Sequence, residues 1–139
     1  MYKFYNANTK GNFVNDCVVR AISVAECKTW DETHKELSDL ARKQGILLDD
    51  VVFVERYLDS KYDRVCEYYK TVGEFMKEHT HGTYLITMSG HITVLVNGIL
   101  YDVFDCRYKR MWCAWCVEKI KRTRDSSFSI NLNRQQLLG

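Results

Sequence analysis

Cys17 lies where a short polar stretch, Gly11-Asn12-Phe13-Val14-Asn15-Asp16, runs into an apolar one. Val18, Ala21, Ile22 and Ala25 follow at i, i+3, i+4 and i+7, the spacing of one buried helical face. Asn15 or Asp16 is a natural N-cap for that helix. Cys17 therefore falls in the first turn, where free N–H groups and the positive end of the helix dipole favour an anion. A thiol held there can titrate well below its free value of about 8.5. With a histidine nearby it becomes a nucleophile. The bland alternative for the same position is a small buried hydrophobic side chain.

A base for such a nucleophile is found far down the chain. Residues 82–105 have the pattern of a three-strand meander. Tyr84, Ile86 and Met88 alternate along 83–88, Ser89-Gly90 breaks that strand, and 91–96 is the second. Asn97-Gly98 is a strong two-residue hairpin signal, and 99–104 returns. Such a turn pairs Val96 with Ile99, and counting outward sets His91 opposite Phe104. Asp102 then shares a face with His91, one diagonal away. Asp105 lies just past the strand, and a one-residue bulge would bring it directly opposite His91. One strand thus offers an imidazole and the next offers two carboxylates that could orient it.

Nucleophile at a helix N-terminus, base on a strand and carboxylate on the adjacent strand, in the order Cys, His, Asp, resembles a compact papain-like cysteine peptidase. The motifs are Asn15-Asp16-Cys17-Val18-Val19-Arg20-Ala21-Ile22 and Gly90-His91-x-Thr93-x-x-Val96-x-Gly98-x-x-Tyr101-Asp102-x-x-Asp105. They look in particular like small papain-like proteins encoded by bacteriophages. The ubiquitin-specific and transglutaminase branches of the superfamily end on a similar strand, turn and acidic residue. The resemblance implies Cys17 as nucleophile, His91 as general base, and Asp105 as the better match for the third member, with Asp102 as the alternative. It also implies a polar oxyanion donor before the cysteine. Asn12 matches the ubiquitin-specific spacing, and Asn15 is the alternative; the glutamine usual in papain itself is absent. The implied activity is hydrolysis of a peptide or isopeptide bond through an acyl-thioester, on a protein or peptide substrate, with no metal or other cofactor. If an amine took the acyl group, the same site would be a transferase.

The rest of the sequence bounds this expectation. A chain of 139 residues is long enough for one domain with a real core, here taken as 1–139 with a loose tail at 126–139. A hydrophobic fraction of 46% argues against disorder, and a net charge of +2 against a strong polyelectrolyte. No apolar run approaches the ~20 residues of a membrane span. The first residues lack the apolar core of a signal peptide. We therefore expect a cytoplasmic protein, in the host cytoplasm if phage-encoded. Its six cysteines, Cys17, Cys27, Cys66, Cys106, Cys113 and Cys116, are then expected as reduced thiols.

Two capping boxes, Thr29-x-x-Glu32 and Thr71-x-x-Glu74, open further helices, the first running to about Lys43 and stopping at Gly45. Trp30, Leu37, Leu40 and Ala41 would be its buried side and His34 a surface residue. Periodicity does not decide whether 51–58 is helix or strand. Helices first and a small antiparallel sheet later give an α+β class. This agrees with a papain-like split into a helical part and a sheet part. The segment 107–124 carries seven cations against Glu118 and interleaves Tyr108, Trp112 and Trp115. Such composition can bind nucleic acid, but a solvated helix face is the commoner reading. Around Cys113-Ala114-Trp115-Cys116 a Trp/Cys-rich packing segment is expected rather than a zinc knuckle. The rival function is a catalytically silent papain-like fold that binds or inhibits a partner through 107–124.

Overall fold

Helix starts and stops follow local chemistry closely. In the computed structural model, which describes residues 1–120 with side chains through 117, Cys17–Ala25 forms α1 and Trp30–Gln44 forms α2. At α2 the Thr29 side chain accepts from the Glu32 N–H while Glu32 accepts from the Thr29 N–H, and Gly45 closes the helix at φ 70°. Val51–Lys61 is α3, so the ambiguous segment is a helix, capped by the Asp50 side chain. Thr71 and Glu74 repeat the capping box at α4, Val72–Glu78. On α2 the buried residues are Thr33, Leu37 and Ala41, while Leu40 is exposed and Trp30 half-buried. His34 is exposed, as expected.

The strands are β1 (Tyr2–Phe4), β2 (Tyr62–Cys66), β3 (Thr83–Met88), β4 (His91–Val96), β5 (Ile99–Asp102) and β6 (Met111–Ile120). They form one sheet in the order β1-β5-β4-β3-β6-β2. The protein is α+β, with four helices and six strands among the described residues. The expected small antiparallel sheet is corrected to a mixed one, because β1 runs parallel to β5. The hairpin register is as counted, with Val96 opposite Ile99 and Val94 opposite Tyr101. Asn97 (φ 48°) and Gly98 (φ 81°) supply the two left-handed residues that such a tight turn needs. The return strand, expected to reach residue 104, stops at Asp102.

Within the segment expected as a solvated helix face, 107–124, the residues Met111–Ile120 form β6, which lies between β3 and β2. Trp115 is fully buried there and donates from Nε1 to Asp59 Oδ1 (2.8 Å), while Trp112 is exposed. The register of β2 and β6 sets Cys66 opposite Cys113, and the two are joined as a disulfide. The expectation of six reduced thiols is corrected for this pair; Cys17, Cys27, Cys106 and Cys116 are free. The expected loose tail, 126–139, lies outside the described residues.

Two apolar layers flank the sheet. On one face α1, α2 and α3 pack Ile22, Leu37, Phe53 and Leu58 against Leu85, Ile92, Val94 and Trp115. On the other, Val72, Phe75 and Met76 of α4 meet Ile86, Met88, Leu95, Leu100 and Met111. Each such fully buried side chain contributes about 1.5–3 kcal/mol. Together they fix the α1 N-terminus against the end of β4. No helix among the described residues is long and apolar enough to cross a membrane.

Candidate active site

Cys17 is the first residue of α1 and half-buried. Asp16 occupies the N-cap position but makes no side-chain cap bond. Its carboxylate turns away: Oδ1 accepts from Arg20 Nε (2.7 Å), and Oδ2 from Trp30 Nε1 (2.9 Å) and Asn8 Nδ2 (3.4 Å). The first-turn N–H groups are therefore left without a side-chain acceptor, beside the thiol.

His91 begins β4 and Asp102 ends β5. The register places them one diagonal apart, and His91 Nε2 lies 2.7 Å from Asp102 Oδ2. The imidazole also lies beside Cys17, close enough to lower the thiol's pKa. With Nε2 engaged by Asp102, Nδ1 is the nitrogen left for the thiol. The Phe104 ring packs against the imidazole, with centroids 4.8 Å apart. Asp102 is 3% exposed and heavily bonded. Its Oδ1 accepts from Arg20 Nη1 (3.0 Å) and the Val103 N–H (2.7 Å). Its carbonyl accepts from the Tyr2 hydroxyl (3.1 Å) and the Tyr5 N–H (2.9 Å).

The electrostatics favour a charged pair. Burial pushes the Cys17 thiol up, but hydrogen bonds from His91 and the Ile92 backbone, with the positive charges of His91 and Arg20, outweigh it and leave the thiol below its ordinary value. Burial pushes His91 down, yet its bonds to Asp102, Cys106 and Cys17 raise it well above an ordinary imidazole. Burial also opposes ionisation of Asp102, but the His91 bond keeps it a carboxylate.

Asp105, the preferred third member in the sequence, is not brought to the imidazole. Its carboxylate accepts from Arg107 at Oδ1 (Nε, 2.9 Å) and Oδ2 (Nη2, 2.8 Å), and it is half-exposed. The carboxylate that meets the imidazole is the alternative, Asp102. The physical reason is that the chain leaves the sheet at Asp102, where the carboxylate takes its own neighbour's N–H, so no bulge swings Asp105 inward. Asn12 and Asn15 are both exposed on the loop that enters α1. Asn12 accepts through its backbone carbonyl from Asn6 Nδ2 (3.0 Å), which helps set that loop.

Sequence reasoning missed Arg20, Asn8 and Cys106. Arg20 stands in the quoted motif four residues after Asp16, a helical ion-pair spacing that could have singled it out. Cys106 is fully buried, and its Sγ lies 3.9 Å from Asp102 Oδ2. The ligand atoms of His91, Asp102 and Cys106 lie within 4.8 Å of one another. A metal there would have to part the 2.7 Å His91–Asp102 contact, because ligands on one zinc ion stand over 3 Å apart, as bond lengths of about 2.0–2.3 Å require. The cluster fits a hydrogen-bonded set better than a metal cage. In the basic segment, Arg107 is paired with Asp105 and Arg110 donates to the Tyr69 carbonyl. Residues 121–124 lie outside the described residues. No protein-family model, curated protein or solved structure matches this chain.

Proposed function

We propose that this protein is a papain-like cysteine hydrolase that cleaves a peptide or isopeptide bond through an acyl-thioester on Cys17. The observation that carries the reading is the chain of contacts from the Cys17 thiol through the His91 imidazole to Asp102 Oδ2 at 2.7 Å. In this reading Cys17 rests as a thiolate beside the His91 imidazolium. The sulfur attacks the scissile carbonyl carbon, the C–S bond forms and the carbonyl oxygen takes the negative charge. The Cys17 N–H, with Asn12 or Asn15 on the entering loop, stabilises that oxyanion, at roughly 3 kcal/mol for a good donor. His91 then gives its proton to the leaving amine as the C–N bond breaks. Water attacks the thioester and gives a proton to His91, the C–S bond breaks, and the acid leaves as the thiolate–imidazolium pair is restored. Asp102 holds the imidazole in the tautomer that keeps Nδ1 toward sulfur.

The test is a mixture of peptides of diverse sequence, incubated with wild type and with Cys17→Ala and read by mass spectrometry. Wild type is expected to cut a subset and Cys17→Ala none. Products extended by an added amine would make the site a transferase. Cleavage of the same bonds by Cys17→Ala would overturn the reading.

A further inference from the structure

Among the described residues, the guanidinium of Arg20 is the one group that touches both carboxylates of the site. Its Nε meets Asp16 Oδ1 at 2.7 Å and its Nη1 meets Asp102 Oδ1 at 3.0 Å. The side chain is only 11% exposed, and its partners are 7% and 2% exposed. Asp16 is itself anchored from α2 by Trp30 Nε1 and from the N-terminal segment by Asn8. Helix α2 and the segment before α1 therefore both hold Asp16, Asp16 holds the guanidinium, and the guanidinium takes one oxygen of Asp102. The other oxygen is left to His91. A planar fork can bridge two carboxylates in this way, and a single ammonium cannot reproduce it.

We propose that Arg20 is the positioning residue of this site, holding Asp102 in the rotamer that faces His91 and supplying a second positive charge beside the Cys17 thiol. This rests on the catalytic reading of Cys17 and His91 above. The charged and titratable groups facing Arg20 and Asp102 are Asp16 and Cys17 from α1, His91 from β4, and Cys106 from the loop after β5; Tyr2 of β1 reaches the Asp102 carbonyl. Counted along the cluster, Asp16, Arg20, Asp102 and protonated His91 sum to zero. The thiolate thus forms beside a neutral frame. Without Arg20 it would form beside a net negative one, with Asp102 free to rotate.

The test is the rate of Cys17 alkylation by iodoacetamide against pH, read by peptide mass spectrometry on the full chain. Wild type, Arg20→Met, Arg20→Lys and His91→Ala are compared, and melting temperatures confirm that each is folded. In wild type, fast labelling is expected to persist well below pH 7. Arg20→Met is expected to move the profile up by about one pH unit or more, roughly tenfold slower labelling at pH 6. Arg20→Lys restores the charge without the fork and is expected to shift about half as far. If Arg20→Met does not fold, the lysine variant decides alone. Folded Arg20 variants that track wild type while His91→Ala shifts would overturn the proposal and leave the catalytic reading standing. A His91→Ala profile identical to wild type would overturn that reading, and the role of Arg20 with it.

Discussion

Both ends of α1 bury an acid, and the two are used differently. At the N-terminal end, Asp16 and Asp102 share Arg20, and Asp102 keeps one oxygen for the imidazole beside the Cys17 thiol. At the C-terminal end, Glu26 accepts from the Tyr57 hydroxyl (3.0 and 3.1 Å), the Tyr62 hydroxyl (2.7 Å) and Lys61 Nζ (2.9 Å), with Lys28 Nζ at 3.5 Å. A carboxylate opposes the helix dipole there, and the two ammonium groups offset it. Burial and the Glu26 charge push both tyrosine hydroxyls far above their ordinary range. Both tyrosines therefore keep their protons at working pH, and the cluster fastens α1 to α3 and β2. At the N-terminal end the partner of the buried acid is instead an imidazole that also faces a thiol, and on the proposed reading it passes its proton to the leaving amine only once that thiol has attacked.

The sharpest way to break this contrast is at the N-terminal end. His91→Ala is expected to cut hydrolysis roughly 10³-fold or more in a peptide-cleavage assay with the melting temperature little changed. Asp102→Asn is expected to cost about 10²–10⁴-fold in kcat/KM, because the amide can stabilise the wrong tautomer. Glu26→Gln should do the reverse, lowering stability by about 2 kcal/mol in urea titrations while leaving the pH profile of Cys17 alkylation untouched. Its pH dependence has a definite sign. Burial opposes Glu26 ionisation, but Lys61, the Tyr62 hydroxyl and Lys28 together outweigh it and depress the folded pKa. The stability gap between wild type and Glu26→Gln is then full above the unfolded glutamate value of about 4.3 and disappears as pH falls through the folded one. A gap that persisted in acid would contradict that account. The smallest effect is expected for Asp105→Asn, with kcat/KM within about twofold of wild type, since its carboxylate serves a half-exposed pair with Arg107.

Much of the N-terminal site was legible in the sequence, and the reason is local. The i, i+3, i+4 spacing after Cys17 and the Asn97-Gly98 turn each fix geometry within a few residues. The hairpin count alone already put Asp102 on the His91 face. What led to Asp105 was the family resemblance, while the residue pattern ran the return strand to 104, two residues beyond its end at Asp102. The clasp at Glu26 was illegible, because its partners on α3 and β2 lie 31 to 36 residues away and meet it only through tertiary packing. The disulfide was hidden for the same kind of reason: it depends on the register between β2 and β6, two strands with no turn linking them. β6 itself has no simple alternation, since Cys113, Ala114 and Trp115 are all buried in mid-sheet. β1, at three residues, is too short to carry a pattern.

The pairing of β1 with β5 joins residues nearly a hundred positions apart, Tyr2 with Leu100 and Phe4 with Asp102. It gives the site a schedule. During synthesis Cys17 leaves the ribosome 85 residues ahead of Asp102, a lag of about 4–17 s at 5–20 residues per second. On the proposed reading the nucleophile lacks its base for most of that interval, since His91 follows it by 74 residues, and lacks the acid for all of it. Long-range closures of this kind also form late in folding. On the proposed reading, the growing chain carries an idle thiol, and cutting power arrives only when the two distant strands meet.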